Sequence, residues 1–165
     1  MPDERPSTRY KLKIAAQLRD RPMYSAEDKI CLATYIDVNG MSALALWDSG
    51  STSTVMSPHF ANVSKTLVFN LNEPVTLQLG MVGSRSKINF GTMANITIAR
   101  LNPTEYIDVV NIDRYDMLIG TPFMHQYQVI LDFEKKCVCM NSVDIPAEVV
   151  PTLGNSHDAR RHRIR

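Results

Sequence analysis

The sequence predicts an all-β, barrel-like domain with only short helices. Three observations predict it. From Ile30 the apolar pattern repeats every second residue. Asn39-Gly40 stands between two extended segments, the strongest short signal for a two-residue hairpin, because both turn positions need positive φ. Beyond it the apolar segments are short, bounded by turn residues, and interrupted by only two helix starts, Ser57-Pro58 and Thr121-Pro122.

The elements follow in order. Residues 1–27 are charged and punctuated by proline, a flank that is partly disordered or helical, with a weak helical pattern in Leu12, Ala15, Ala16 and Leu18. The domain proper is expected over 28–147. Ile30, Leu32, Thr34, Ile36 and Val38 share one face of the first strand, and Cys31, Ala33, Tyr35 and Asp37 the other. After Asn39-Gly40 the return strand SALALW ends at Trp47, and the loop Asp48-Ser49-Gly50-Ser51-Thr52 follows. Thr54-Val55-Met56 is short and apolar, and Ser57 then caps a helix to about Val63. Residues 74–82 read as a strand with Val75, Leu77 and Leu79 on one face. Gly83-Ser84-Arg85-Ser86 reads as a turn, with strands returning over 87–90 and 95–99. Residues 105–112 and 116–119 are strands, the second ending at Gly120. Thr121-Pro122 repeats the cap-plus-proline start, and QVILDF and CVCM close the domain as a hairpin. Residues 148–165 form a basic tail, expected to be disordered.

Asp48 is the residue that demands explanation. A carboxylate at the end of an apolar strand is costly unless it is hydrogen-bonded. Loop N–H groups and the hydroxyls of Ser49, Ser51 or Thr52 could satisfy it, and Gly50 lets the backbone pass close by. From Asp-Ser-Gly alone, an aspartate capping a tight turn is the commoner reading. The context reverses that order. The succession ATYIDVNG, MSALALWDSGST, VTLQLGMVGSRSKINF and DVVNIDRYDMLIGTPFMHQYQVILDF resembles the retropepsin-like aspartic proteases, most of all the protease segment of gypsy-type LTR retrotransposon Gag-Pol polyproteins of fungi. The likeness covers roughly residues 28–140, with three motifs in order: Asp48-Ser49-Gly50, a hairpin around Met81–Arg85, and Leu118-Ile119-Gly120.

The resemblance implies a retropepsin fold with one lobe per chain and an aspartic endopeptidase that processes its own retrotransposon polyprotein. Hydrolysis without a metal or covalent intermediate needs a base to activate water and an acid for the leaving amine. Two facing carboxylates serve both needs when they share one proton. This chain supplies one such residue, Asp48, so the resemblance implies a homodimer in which two copies of Asp48 meet. Ser49, Gly50, Ser51 and Thr52 would support the loop, with the Ser49 hydroxyl bracing across the dimer. Ser51, as a donor near the carboxylate, would favour its ionised form and move activity to lower pH. Met81, Val82, Gly83, Ser84 and Arg85 would form the flap over the substrate, though by position alone they read equally as an ordinary surface hairpin. Leu118, Ile119 and Gly120 would pack behind the catalytic loop. Residues 141–153 are a candidate terminal dimer strand, interrupted by Pro146 and Pro151. The second reading is a catalytically silent retropepsin-fold module for dimerisation or binding.

Composition narrows the remaining classes. Of 165 residues 44% are hydrophobic, enough for a core. The apolar runs fall far short of the ~20 residues that span a bilayer, and the N-terminus lacks an apolar signal region, so neither membrane nor secretion is expected. Three cysteines fit a reduced, cytoplasmic setting, and the resemblance implies the interior of virus-like particles as one such place. Cys137 and Cys139 with His125 lack the ligand count of a structural zinc site, so no metal or other cofactor is expected. Net charge is +1, but residues 30–154 carry seven basic and eleven acidic residues while both ends are basic. Those basic ends read as polyprotein seams rather than a nucleic-acid surface.

Overall fold

A computed structural model describes residues 11–78 and 85–148. A seven-stranded sheet forms the body, in the order β1 (Ala33–Val38), β2 (Met41–Trp47), β7 (Met117–Ile119), β3 (Val55–Met56), β6 (Thr104–Val109), β5 (Arg85–Thr97), β4 (Phe69–Gln78). The end of β1 also pairs with β5, Asp37 opposite Thr97 and Val38 opposite Ile96, so the sheet returns on itself as a ring. A smaller antiparallel sheet, β8 (Ile130–Asp132), β9 (Cys137–Met140) and β10 (Val143–Pro146), packs against it. Helices α1 (Pro58–Val63) and α2 (Thr121–Gln126) are one and a half turns each, and a single 3-10 turn precedes β1. Residues 11–25 carry no helix or strand.

The alternation read from the sequence matches burial along β1 except at Ala33, which is also fully buried. Leu32, Thr34, Ile36 and Val38 are buried, and Tyr35 is exposed. Asn39 and Gly40 both take positive φ, 51° and 85°, and join Val38 to Met41 directly. The Asp37 carboxylate accepts the Gly40 N–H at 2.9 Å, and Asn39 reaches across to accept the Asn95 N–H at 2.9 Å. The turn is thereby tied to β5, which helps to close the ring. The main core gathers Ile36, Val38, Trp47, Met56, Ile96, Ile107, Met117, Ile119 and Phe123, and a smaller cluster holds Val55, Leu77, Ile88 and Val110.

Several expectations change. The strand pieces at 87–90 and 95–99 belong to one continuous β5 of 13 residues, because β6 pairs along it from Phe90 to Asn95. Arg85 and Ser86 are strand residues opposite Gln78 and Leu77, not part of a turn. Strand β4 begins earlier than expected and is an edge strand, so Val75 lacks cover and is exposed while Leu77 is buried. The segment 143–146 pairs with β9 of its own chain, and Pro146 closes that pairing opposite Cys137. The cap of α2 is Gly120, not Thr121; Thr121 is already inside the helix.

Candidate active site

Strand β2 lies between β1 and β7. It runs parallel to β7, with Ala45, Leu46 and Trp47 opposite Met117, Leu118 and Ile119. The next residue, Asp48, continues that ladder, donating its N–H to the Ile119 carbonyl at 2.9 Å. Behind it, the Trp47 N–H donates to the Leu32 carbonyl at 2.9 Å, and the buried Trp47 indole donates to the Thr34 hydroxyl at 2.9 Å. Trp47 also meets Phe123 at 6.0 Å between ring centroids. The Asp48 backbone is therefore fixed on both sides before its side chain is considered.

The carboxylate is half-buried. Its Oδ1 accepts the Gly50 N–H at 2.9 Å, and the Ser51 N–H closes onto the Asp48 carbonyl at 3.1 Å. Among the described residues, Oδ2 accepts no hydrogen bond. The loop thus holds one carboxylate oxygen and leaves the other free to meet something else. Gly50 is near enough that a Cβ there would lie 3.2 Å from Oδ1.

The loop is anchored from below by the Leu118-Ile119-Gly120 segment and α2. Gly120 donates its N–H to the Thr54 hydroxyl at 3.1 Å, and Thr121 donates to the Ser51 carbonyl at 2.9 Å. These are two of the orphan N–H groups at a helix start, and the loop that follows Asp48 supplies their acceptors. That explains why α2 needs no side-chain cap, whereas α1 uses Ser57, whose hydroxyl accepts the Phe60 N–H at 3.0 Å.

Among the residues singled out by sequence, Asp48, Ser49, Gly50, Ser51 and Thr52 form one loop, with Leu118, Ile119 and Gly120 beside it. Ser49 and Thr52 are exposed, and Ser51 is buried. The Ser51 hydroxyl does not reach the carboxylate. It donates to the Ser53 carbonyl at 2.7 Å and accepts the Ser53 N–H at 3.3 Å, because burial turns the side chain into the loop. Met81, Val82, Gly83 and Ser84 lie outside the described residues. Arg85 begins β5, at the end of the hairpin arm that pairs with β4. The basic 160–165 tail also lies outside them.

Sequence reasoning passed over two residues here. Thr54 holds Gly120, and its only sequence signal was its place in a hydroxyl-rich loop. Asp116 is buried at the mouth of β7, where its carboxylate accepts the Leu44 N–H at 2.9 Å and its N–H donates to the Leu44 carbonyl at 2.9 Å. A charged residue directly before a buried apolar strand was its signal.

A ring-like β body with an Asp-Ser-Gly loop, anchored by an apolar-apolar-Gly segment that leads into a short helix, defines the retropepsin class of fold. The chain belongs to the retroviral aspartyl protease family, whose profile matches residues 21–149. DNA damage-inducible protein 1 of Neurospora crassa is 29% identical over 121 residues, 73% of this chain and 26% of that protein. The chain therefore spans about a quarter of that relative's length. The retroviral protease-like domain of Ddi1 from Leishmania major superposes with a TM-score of 0.57 at 18% identity, covering 74% of this chain and 96% of that domain, a likeness of fold.

Proposed function

We propose that the chain is an aspartic endopeptidase that works as a homodimer, with Asp48 of each copy forming the dyad. The observation that carries this reading is the asymmetric hold on the Asp48 carboxylate: Oδ1 takes the Gly50 N–H, and Oδ2 accepts nothing from the described residues. Related by a two-fold axis, two such loops bring carboxylates together. At about 3 Å such a pair cannot carry two charges, so it holds one proton between them. The ionised partner takes a proton from water as it attacks the peptide carbonyl, and the protonated partner supports the developing oxyanion. A proton then passes to the leaving amine. Ser49, the next residue of the loop and exposed, braces the second loop in this reading.

The substrate is an extended peptide, held by backbone pairing along the β4–β5 hairpin in the flap role. The finer reading is processing of a gypsy-type retrotransposon polyprotein inside the cell. It rests on the succession of sequence motifs alone, since the relatives described above carry the name DNA damage-inducible protein 1.

The test is self-cleavage of a longer precursor, wild type against Asp48→Asn, with and without a pepstatin-like inhibitor. Asparagine keeps the oxygen that accepts the Gly50 N–H, so the loop should persist. Loss of cleavage in Asp48→Asn with an unchanged circular dichroism spectrum is expected. Cleavage that continues in Asp48→Asn would refute the aspartic mechanism.

A further inference from the structure

Among the described residues two surfaces lack cover, and their chemistry is complementary. The first is the arm at residues 11–26. It carries Lys11, Lys13, Arg19 and Arg21 against a single acid, Asp20, and interleaves them with Leu12, Ile14, Leu18 and Met23. Leu18 and Met23 are 96% and 97% exposed. An apolar side chain of that size gains free energy when it is buried. The arm therefore holds a large unused driving force, spread along a cationic strip.

The second surface is the outer face of β4, β5 and β6. Register places Phe69 opposite Gly91, Gly91 opposite Asp108, and Met93 opposite Tyr106. Paired residues share a face, so these side chains form one shelf. Tyr106 lies across Gly91 so closely that a Cβ there would meet its hydroxyl at 2.5 Å. Its ring stands 6.2 Å from that of Phe69. Phe69, Met93 and Tyr106 are each 42–54% exposed. Asp108 rims the shelf and accepts the Tyr106 hydroxyl at 2.6 Å. Next to it a cleft of about 190 Å³ opens, lined by Glu105, Tyr106 and Asp108 and by Thr52 of the candidate catalytic loop. Aromatic rings edged with carboxylates suit a segment that alternates cations with aliphatic side chains.

We propose that this shelf docks the 11–26 arm of a second copy of this chain. The arm's own root explains why the partner is a second copy. The chain enters the body where Leu32 accepts the Trp47 N–H, at the start of β1, whereas β1 touches β5 only at its far end, Asp37 and Val38. In this structure Leu18 and Met23 of the arm and Phe69, Met93 and Tyr106 of the shelf are all exposed, so the arm does not lie on the shelf of its own chain. Exchange of arms between two copies covers both shelves at once, and it places a cationic segment of each partner beside the other's catalytic loop.

The test uses the full chain in the Asp48→Asn background, so that self-cleavage cannot remove the arm. A benzophenone photo-crosslinker replaces Leu18, and this chain is mixed with an equal amount of ¹⁵N-labelled chain. The expected products are mixed-isotope crosslinks to peptides containing Phe69, Met93 or Tyr106. Asp108→Lys should lower their yield about tenfold, and pairing it with Arg19→Asp and Arg21→Asp should restore most of it. Met93→Lys, at an exposed position, should lower the yield similarly without touching the Tyr106 hydrogen bond. Crosslinks confined to single chains, crosslinks elsewhere on the surface, or yields unchanged in both lysine variants would each overturn the proposal. None of these readouts depends on peptidase activity.

Discussion

Gly120 lies against the Ser53 backbone so tightly that a Cβ there would stand 2.4 Å from the Ser53 carbonyl oxygen and 2.9 Å from that of Ser51. Its φ of −95° is open to any residue, so this glycine serves space rather than conformation. Gly40 is the opposite case, with a φ of 85° and nothing near its missing side chain. Gly120→Ala must push two backbone carbonyls of the Asp48 loop and should cost about 3 kcal/mol. Gly40→Ala should cost only about 1 kcal/mol. Urea denaturation midpoints of the two variants check the order, and equal losses would mean that the loop yields freely.

The hydrogen bond from the Trp47 indole to Thr34 is the polar contact of an otherwise apolar wall. Both side chains are buried, and the bond is 2.9 Å long. Thr34→Val keeps the shape and removes the acceptor. A buried N–H left without a partner costs about 1–3 kcal/mol. The loss should appear in denaturation and should exceed that of Thr97→Val, whose hydroxyl bonds Asn102 at the surface.

Period-two alternation and Asn-Gly named β1 and β2 because both signals are local. The Ser57 cap was legible for the same reason: an acceptor three residues before Phe60 needs no distant partner. Thr121 misled because its N–H is satisfied by Ser51, a residue 70 positions away, and not by a side chain nearby. The same holds for Ser51. Its place near Asp48 in sequence suggested a donor to the carboxylate, but burial decided where the hydroxyl points. Thr54 acts on Gly120 beside the antiparallel pair β3–β7, and Asp116 acts on Leu44 at the start of the parallel ladder of β2 and β7. Motif order identified the loop; only the sheet topology tells which backbone groups hold it.

Tyr127 links stability to alkaline pH. Partial burial, and then the hydrogen bond and charge of Glu105, push its phenol from the ordinary 10 up to about 12. The folded chain therefore keeps a proton that the unfolded chain gives up above pH 10. Stability from this group is complete below pH 10 and is lost as pH rises toward about 12. Tyr127→Phe should flatten that part of the stability curve. Thermal melts between pH 9 and roughly 12 measure it, and an equally steep decline in the variant would exclude Tyr127 as the source.

Ser51→Ala separates loop support from tuning of the carboxylate. The hydroxyl both donates to the Ser53 carbonyl and accepts the Ser53 N–H, so it closes a turn and has no path to Asp48. Its removal leaves a buried loop carbonyl without that donor, at a cost of about 1 kcal/mol. The Asp48 Oδ1 keeps its own donor, the Gly50 N–H, which is backbone and is unchanged in Ser51→Ala. On a peptide substrate the variant should therefore lose kcat/KM, by about tenfold for a barrier raised by about 1.4 kcal/mol, as the loop loosens. The acid limb of its pH profile should stay where it is in the wild type. An acid limb that moves while the denaturation midpoint stays fixed would show that the hydroxyl acts on the carboxylate after all, through a loop that re-forms around it in the proposed dimer.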